Sequence, residues 1–162
     1  MTELIEEDPA PEDFPAEDFT MVVLGSGEWR FEEMFRRLAR SRPDRFAVRI
    51  GYDETLSHCI EAGSDMFLMP SRYEPCGLSQ IYSLRYGTVP IVRATGGLED
   101  TVDEETGFKF SDYSSTALAE AIRAALKAWR DPDSWRLRMR RGMAKEYSWE
   151  VSAEKYQKIY HS

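Results

Sequence analysis

Cysteine and histidine are both scarce in this chain of 162 residues, with two of each. Cys59 and Cys76 stand far apart and form no CxxC pair, which excludes a disulfide framework and a cysteine-based zinc site. Two histidines, His58 and His161, are too few for a histidine-based metal centre, so no metal is expected. No stretch reaches the roughly 20 apolar residues of a membrane span. Basic excess is missing too: the net charge is −8. The eight acids Glu3, Glu6, Glu7, Asp8, Glu12, Asp13, Glu17 and Asp18 fall before residue 19, without one Lys or Arg; setting them aside leaves 21 acidic against 21 basic residues. A neutral remainder offers neither the basic stripe of a nucleic-acid surface nor a patch for anionic lipid. Gly25-Ser26-Gly27 lacks the third glycine of a dinucleotide fingerprint, and no acid stands about twenty residues on. NAD and other organic cofactors are therefore not expected. The acidic start does not read as a signal peptide, and a reducing cytoplasm is the expected setting.

What is present is regular from Phe19 onward. Residues 1–18 combine the acids with Pro9, Pro11 and Pro15, a spacing that prevents a continuous helix and reads as a solvated tail. Residues 19–162 read as one domain, long enough for a stable core. Apolar runs at Met21–Leu24, 46–50, 66–69 and 89–92, with a shorter one at 107–110, predict five strands. Helical spacing covers Trp29 to Arg40, with Trp29, Phe31, Met34, Phe35 and Leu38 in register. Asp53 is a candidate cap for a helix running to about Ala62. Further helices are expected over 78–86, 114–129, 132–147 and 150–160. Strands alternating with helices imply right-handed βαβ units. The fold class is therefore α/β, a Rossmann-like parallel sheet with helices on both faces.

The densest signal is residues 70–102, PSRYEPCGLSQIYSLRYGTVPIVRATGGLEDTV. Here a strand ends in a polar loop, a helix opens at Gly77-Leu78, and the next strand ends in Thr95-Gly96-Gly97. Ligands of open α/β sheets sit at such strand ends, with anions on helix N-termini. Gly77 permits close backbone approach, and the amides of Gly77, Leu78 and Ser79 are the unpaired donors of a helix start, suited to a diphosphate. Adjacent glycines at 96 and 97 let amides turn toward an anion. Glu74, beside these donors, suits sugar hydroxyls better than phosphate; the alternative is a surface glutamate that caps the following helix. Tyr52, at the end of the second strand, is either a stacking surface for a base, worth roughly 1–3 kcal/mol, or a half-buried core tyrosine. Cys76 precedes a helix start, where a thiolate is favoured. The only internal histidine, His58, lies within a helix, so a nucleophile–base pair is not supported.

Over residues 20–160 the chain resembles the donor-sugar half of bacterial glycogen and starch synthases, retaining glucosyltransferases with two Rossmann-like domains in the GT-B arrangement. The match is carried by Glu74-Pro75-Cys76-Gly77-Leu78, the Thr95-Gly96-Gly97 loop and Ser148-Trp149-Glu150. The resemblance implies that Glu74 contacts the donor glucose as the catalytic-site glutamate, and that Tyr52, Ser71, Cys76, Gly77, Leu78, Thr95, Gly96 and Gly97 bind the donor, ADP-glucose or UDP-glucose. Tyr82 stands where the wider retaining group has a second glutamate, as in the synthase subgroup. The implied acceptor is an α-1,4-glucan bound through an N-terminal domain not found in this chain, on which the last helix, 150–160, is meant to pack. The Arg and Lys that hold the donor diphosphate in the family precede the first strand, where this chain is rich in acids and prolines and has no Arg or Lys. The Asp103–Thr106 connection is also shorter than in many members. Two other readings stay open from sequence: a non-catalytic truncated or engineered nucleotide-binding module, and a retaining GT-B enzyme for another sugar.

Overall fold

The computed structural model describes residues 19–161; the acidic segment 1–18 lies outside the described residues. Two compact units follow one another along the chain, divided between Ile60 and Glu61.

In the N-terminal unit, β1 (Met21–Gly25) pairs in parallel with β2 (Phe46–Ile50), Met21 opposite Phe46 and Gly25 opposite Ile50. Helix α1 (Trp29–Ser41) joins them, and α2 (Glu54–Gly63) follows β2. Asp53 caps α2 as its position suggests, its Oδ1 accepting from Leu56 N at 2.9 Å.

In the C-terminal unit, β3 (Met66–Met69), β4 (Val89–Arg93) and β5 (Phe108–Phe110) form a parallel sheet in that order, with β4 central. Alternation along β4 divides the core. On one face Ile91 and Phe110 are buried against Ala121 and Ala125 of α5 (Ser115–Trp129), with Met66, Leu68 and Phe108 alongside. On the other, Val92 meets Leu98 and Val102, with Met69 beside them. Leu98 belongs to a five-residue helix, α4 (Gly97–Thr101), where the sequence suggested only a glycine loop. Helix α3 (Ser79–Tyr86) lies between β3 and β4 in the chain, and α6 (Pro132–Met143) approaches it so closely that a Cβ on Gly142 would lie 2.8 Å from Leu84 Cδ2. The parallel α/β architecture with helices on both faces thus holds for this unit.

Helix α6 stops at Met143, four residues short of the expected 147. The reason is visible in the next residues. Lys145 Nζ reaches Asp103 Oδ2 at 2.6 Å, and Tyr147 Oη donates to Thr101 O at 2.7 Å. These bonds draw the chain across the end of α4 before Ser148 caps α7 (Trp149–Tyr160). Helix α7 leaves Trp149, Tyr156 and Tyr160 largely exposed.

The Asp103–Lys145 pair gives the unit a pH signature. Burial raises the Asp103 value, but hydrogen bonds from Lys145 and Thr106 outweigh it, and the net shift is downward. Burial lowers the Lys145 value, but the hydrogen bond to Asp103 outweighs it, and the net shift is upward. The lowered carboxylate stabilises the fold above its unfolded value, near 3.9, and that stability is lost as pH falls through the folded value. The raised lysine stabilises below its unfolded value, near 10.4, and that stability is lost as pH rises through the folded value. Because both side chains remain partly in water, Lys145→Met should cost only about 0.5 kcal/mol at neutral pH. Urea midpoints should show this deficit between roughly pH 5 and 9 and its disappearance near pH 2. A deficit that stays constant with pH would mean that the lysine stem, not its charge, is what matters.

Candidate functional site: two glycine loops at the ends of β3 and β4

Two loops leave the C-terminal ends of adjacent strands, residues 70–78 after β3 and 94–96 after β4. They are fastened backbone to backbone. Gly97 N donates to Glu74 O at 3.1 Å and to Pro75 O at 3.2 Å. No side chain fits at the seam. A Cβ on Gly97 would lie 2.6 Å from Cys76 Cα and 2.7 Å from its carbonyl carbon, and one on Gly96 would overlap the Glu74 carbonyl. Gly96 also has φ +48°, and Gly77 φ +69°, conformations that favour glycine.

The loops leave donors unused. Among the described residues, the amides of Gly77, Leu78, Ser79, Thr95 and Gly96 have no acceptor in the protein. Helices α2, α5, α6 and α7 begin on side-chain caps from Asp53, Ser114, Asp131 and Ser148. Helix α1 has no side-chain cap at Glu28, and helices α3 and α4 begin with none. Their first amides, with the positive end of the helix dipole at α3, are therefore open to an anion or to water.

Glu74 is half-buried, and among the described residues its carboxylate has no hydrogen-bond or ion-pair partner. It does not cap α3, whose N-cap position is Leu78 with no side-chain bond. The capping alternative is thereby removed. Ser71 is held from below: Arg93, at the end of β4, donates from Nη1 to Ser71 O at 3.2 Å and to Arg72 O at 2.5 Å, and from Nε to Ser111 O at 3.2 Å. Its guanidinium also lies over the Tyr113 ring. Arg93 is thus spent on the loop backbone. The Cys76 thiol is free and exposed.

The structure brings Ser71, Glu74, Cys76, Gly77, Leu78, Thr95, Gly96 and Gly97 to the ends of β3 and β4 in one unit. Tyr52 belongs to the other unit, just past β2, and is 87% exposed, so it is not a core tyrosine. Gly27 N in that unit donates to Glu32 Oε1 at 3.1 Å, which occupies one amide of the Gly25-Ser26-Gly27 loop.

Sequence reasoning passed over Gln80 and Thr101. Gln80 is fully buried, and its Nε2 donates to Cys76 O and Gly77 O at 3.0 Å each. The available signal was its place in the first turn of a helix lacking a capping residue, where a long amide can reach back to the preceding carbonyls. A hollow of about 250 Å³ lies along α3, lined by Ile81, Tyr82, Arg85, Lys145 and Tyr147 and by no residue of either glycine loop. The open amides and the unpartnered carboxylate lie at the glycine loops and not at the hollow, which makes the loops the candidate site.

This arrangement of parallel strands, uncapped helix starts and glycine loops defines a class, and the chain belongs to it: residues 10–142 match the Glycosyl transferases group 1 family. Within that family it is similar to the glycogen synthase of Anaeromyxobacter sp. strain Fw109-5, 58% identical over 153 residues, covering 91% of this chain and 32% of that protein. To the glycogen synthase of Koribacter versatilis strain Ellin345 it is 55% identical over 151 residues, covering 89% and 31%. The chain therefore spans about a third of the length of these curated relatives. Among solved structures it is similar to the catalytic domain of starch synthase IV from Arabidopsis thaliana, bound to ADP and acarbose, with a TM-score of 0.77 and 31% identity, over 88% of this chain and 32% of that one.

The seam between the loops predicts a sharp contrast among glycines. Gly97→Ala must push apart two backbones and should lower stability in denaturant unfolding by about 2–3 kcal/mol. Gly27→Ala, whose Cβ would meet nothing within 4 Å, should stay within about 0.5 kcal/mol of the unmodified chain. Equal effects would show that the 74–77 and 95–97 backbones are not in contact in solution.

Proposed function

We propose that this chain is the nucleotide-sugar half of a glycogen-synthase-type glucosyltransferase, which takes glucose from ADP-glucose or UDP-glucose to an α-1,4-glucan with retention. The observation that carries the reading is an unpartnered, half-buried carboxylate, Glu74, beside open amides on two interlocked loops. The amides of Gly77, Leu78, Ser79 and Gly96 suit the diphosphate. Glu74 suits the glucose hydroxyls, because a carboxylate accepts several hydrogen bonds and repels phosphate. Gly97, its own amide engaged by Glu74 O and Pro75 O, serves by holding the loops together, and Ser71, Cys76 and Thr95 complete the walls. For Tyr52 the proposed role is to stack on the base, and its support is local: an exposed ring just past β2.

The ADP and acarbose bound to the starch synthase IV catalytic domain support a nucleotide diphosphate as ligand. Acceptor binding belongs to a further domain, and the exposed Trp149, Tyr156 and Tyr160 of α7 are the surface proposed to meet it. The setting proposed is cytoplasmic; among the described residues no helix is long and apolar enough to cross a membrane.

Cationic stabilisation of the departing diphosphate is a large part of such catalysis, and Arg93, beside the loops, is committed to carbonyls. This chain alone should therefore show no measurable glucose transfer to glycogen in a radiolabel assay, and robust transfer would contradict the division of labour proposed here. Binding is the direct test. Calorimetric titration should show saturable binding of ADP-glucose, weakened about 10- to 100-fold by Glu74→Ala, the range for hydrogen bonds to a charged group. ADP, which lacks the glucose, should bind both forms within about threefold of each other. Equal weakening of both ligands would place Glu74 away from the sugar, and no binding of either would reject the donor site.

A further inference from the structure

The 70–78 and 94–96 loops are irregular backbone, yet both must be held at one separation for their amides to converge on a single ligand. The Gly97 amide gives one tie. A second runs through side chains. The carboxamide nitrogen of Gln80 has two protons, and three acceptors surround it: Cys76 O and Gly77 O at 3.0 Å, and Thr101 Oγ1 at 3.1 Å. The Thr101 hydroxyl has one proton, which goes to Gly97 O at 2.5 Å. A hydrogen-bonded path therefore leads from the carbonyls of the first loop, through Gln80 and Thr101, to the residue that closes the second. Gln80 is closely enclosed. It is fully buried, and the side-chain direction of Gly77 points straight at its Oε1, an atom with no hydrogen-bond partner among the described residues. Any residue but glycine at 77 would displace it.

Thr101 is gripped from the other side as well. Its carbonyl accepts from Tyr147 Oη at 2.7 Å and from Lys145 Nζ at 3.4 Å. These residues lie in the segment that joins α6 to α7. A threonine hydroxyl bonded to the carbonyl four residues back is a common helical habit with little consequence. Here the same hydroxyl also receives the buried amide that ties down Cys76 and Gly77, so its loss reaches both loops.

We propose that Thr101 and Gln80 are positioning residues of the donor site, which fix the spacing between the amides of the 77–79 helix start and those of the 95–96 loop. Neither need touch the ligand. This proposal rests on the donor-site reading above and adds to it what sets the geometry. Its readout is the diphosphate, because that is the ligand group proposed to meet amides from both loops.

The test compares the unmodified chain with Thr101→Val, which removes the hydroxyl at nearly constant shape, and Thr101→Ser, which keeps it. ADP is the probe, titrated calorimetrically, and exchange of the Gly97 amide is followed by NMR without ligand. The expected result is ADP binding about three- to tenfold weaker in Thr101→Val, the range for one lost hydrogen bond, with recovery to within about twofold in Thr101→Ser. The Gly97 amide should exchange faster in Thr101→Val only. Gln80→Glu, which replaces the donating amide with a carboxylate facing two carbonyls, should weaken ADP at least as much. If the unmodified chain binds ADP and Thr101→Val binds it equally, with Gly97 exchange unchanged, this proposal is overturned while the donor site stands. If the unmodified chain binds no ADP, the donor-site reading falls and this proposal falls with it.

Discussion

One hydrogen bond organises this molecule's chemistry, the bond from the Gly97 amide to the carbonyls of Glu74 and Pro75. It joins two loops that leave neighbouring parallel strands, and everything nearby is arranged around it. Two glycines, at 96 and 97, remove the side chains that would hold the backbones apart. The hydrophobic core ends just beneath, where Val92, Leu98 and Val102 pack on one face of β4. Leu98 follows Gly97 directly, so the anchor that buries α4 also fixes the amide that locks the loops. Stability and site geometry therefore share residues at this point of the chain.

Helices α2, α5, α6 and α7 begin on a side chain of Asp or Ser. Helices α1, α3 and α4 do not, and of these three α3 and α4 start at the loops beside Glu74. Uncapped ends are costly unless water or a ligand takes the donors, and these two stand next to a carboxylate without a partner. Such local departures from good capping are expected at functional sites. The cations show a complementary pattern. Arg93 stiffens the loops through carbonyls, and Lys145 pairs with Asp103, so the positive charge that would balance a diphosphate is not supplied by these two residues. With Arg93 and Lys145 both engaged, the open amides of the two loops are the directional donors left at this point. This fits a chain that spans about a third of its glycogen synthase relatives.

Much of this was legible in the residues. Apolar runs of four or five, such as Met66–Met69 and Val89–Val92, marked the strands because a buried parallel strand has no polar face to show. Asp53 announced the start of α2, and the glycines around Glu74 pointed to the strand ends where the candidate site lies. Other features had no local signature. Strand pairing is a long-range choice, so the division into β1–β2 and β3–β4–β5 could not be read from spacing. Helix α4 has five residues, too few to display a helical period. The end of α6 is set by Lys145 and Tyr147 reaching residues more than forty positions away. Gln80 has no sequence feature that sets it apart from the other polar residues of α3, and only its burial and its bonds reveal that it braces the loops. Tyr52 could be read as core or as surface until its exposure was known.

The most direct test of the account is to map ligand contact residue by residue, by adding ADP to the isotope-labelled chain and following its backbone amide resonances. The account predicts that the largest shifts fall on Gly77, Leu78, Ser79 and Gly96, whose amides are open, with α5 little affected. Shifts centred instead on Tyr82, Arg85 and Tyr147, around the hollow along α3, would contradict it, because the interlocked glycine loops would then be scaffold rather than site.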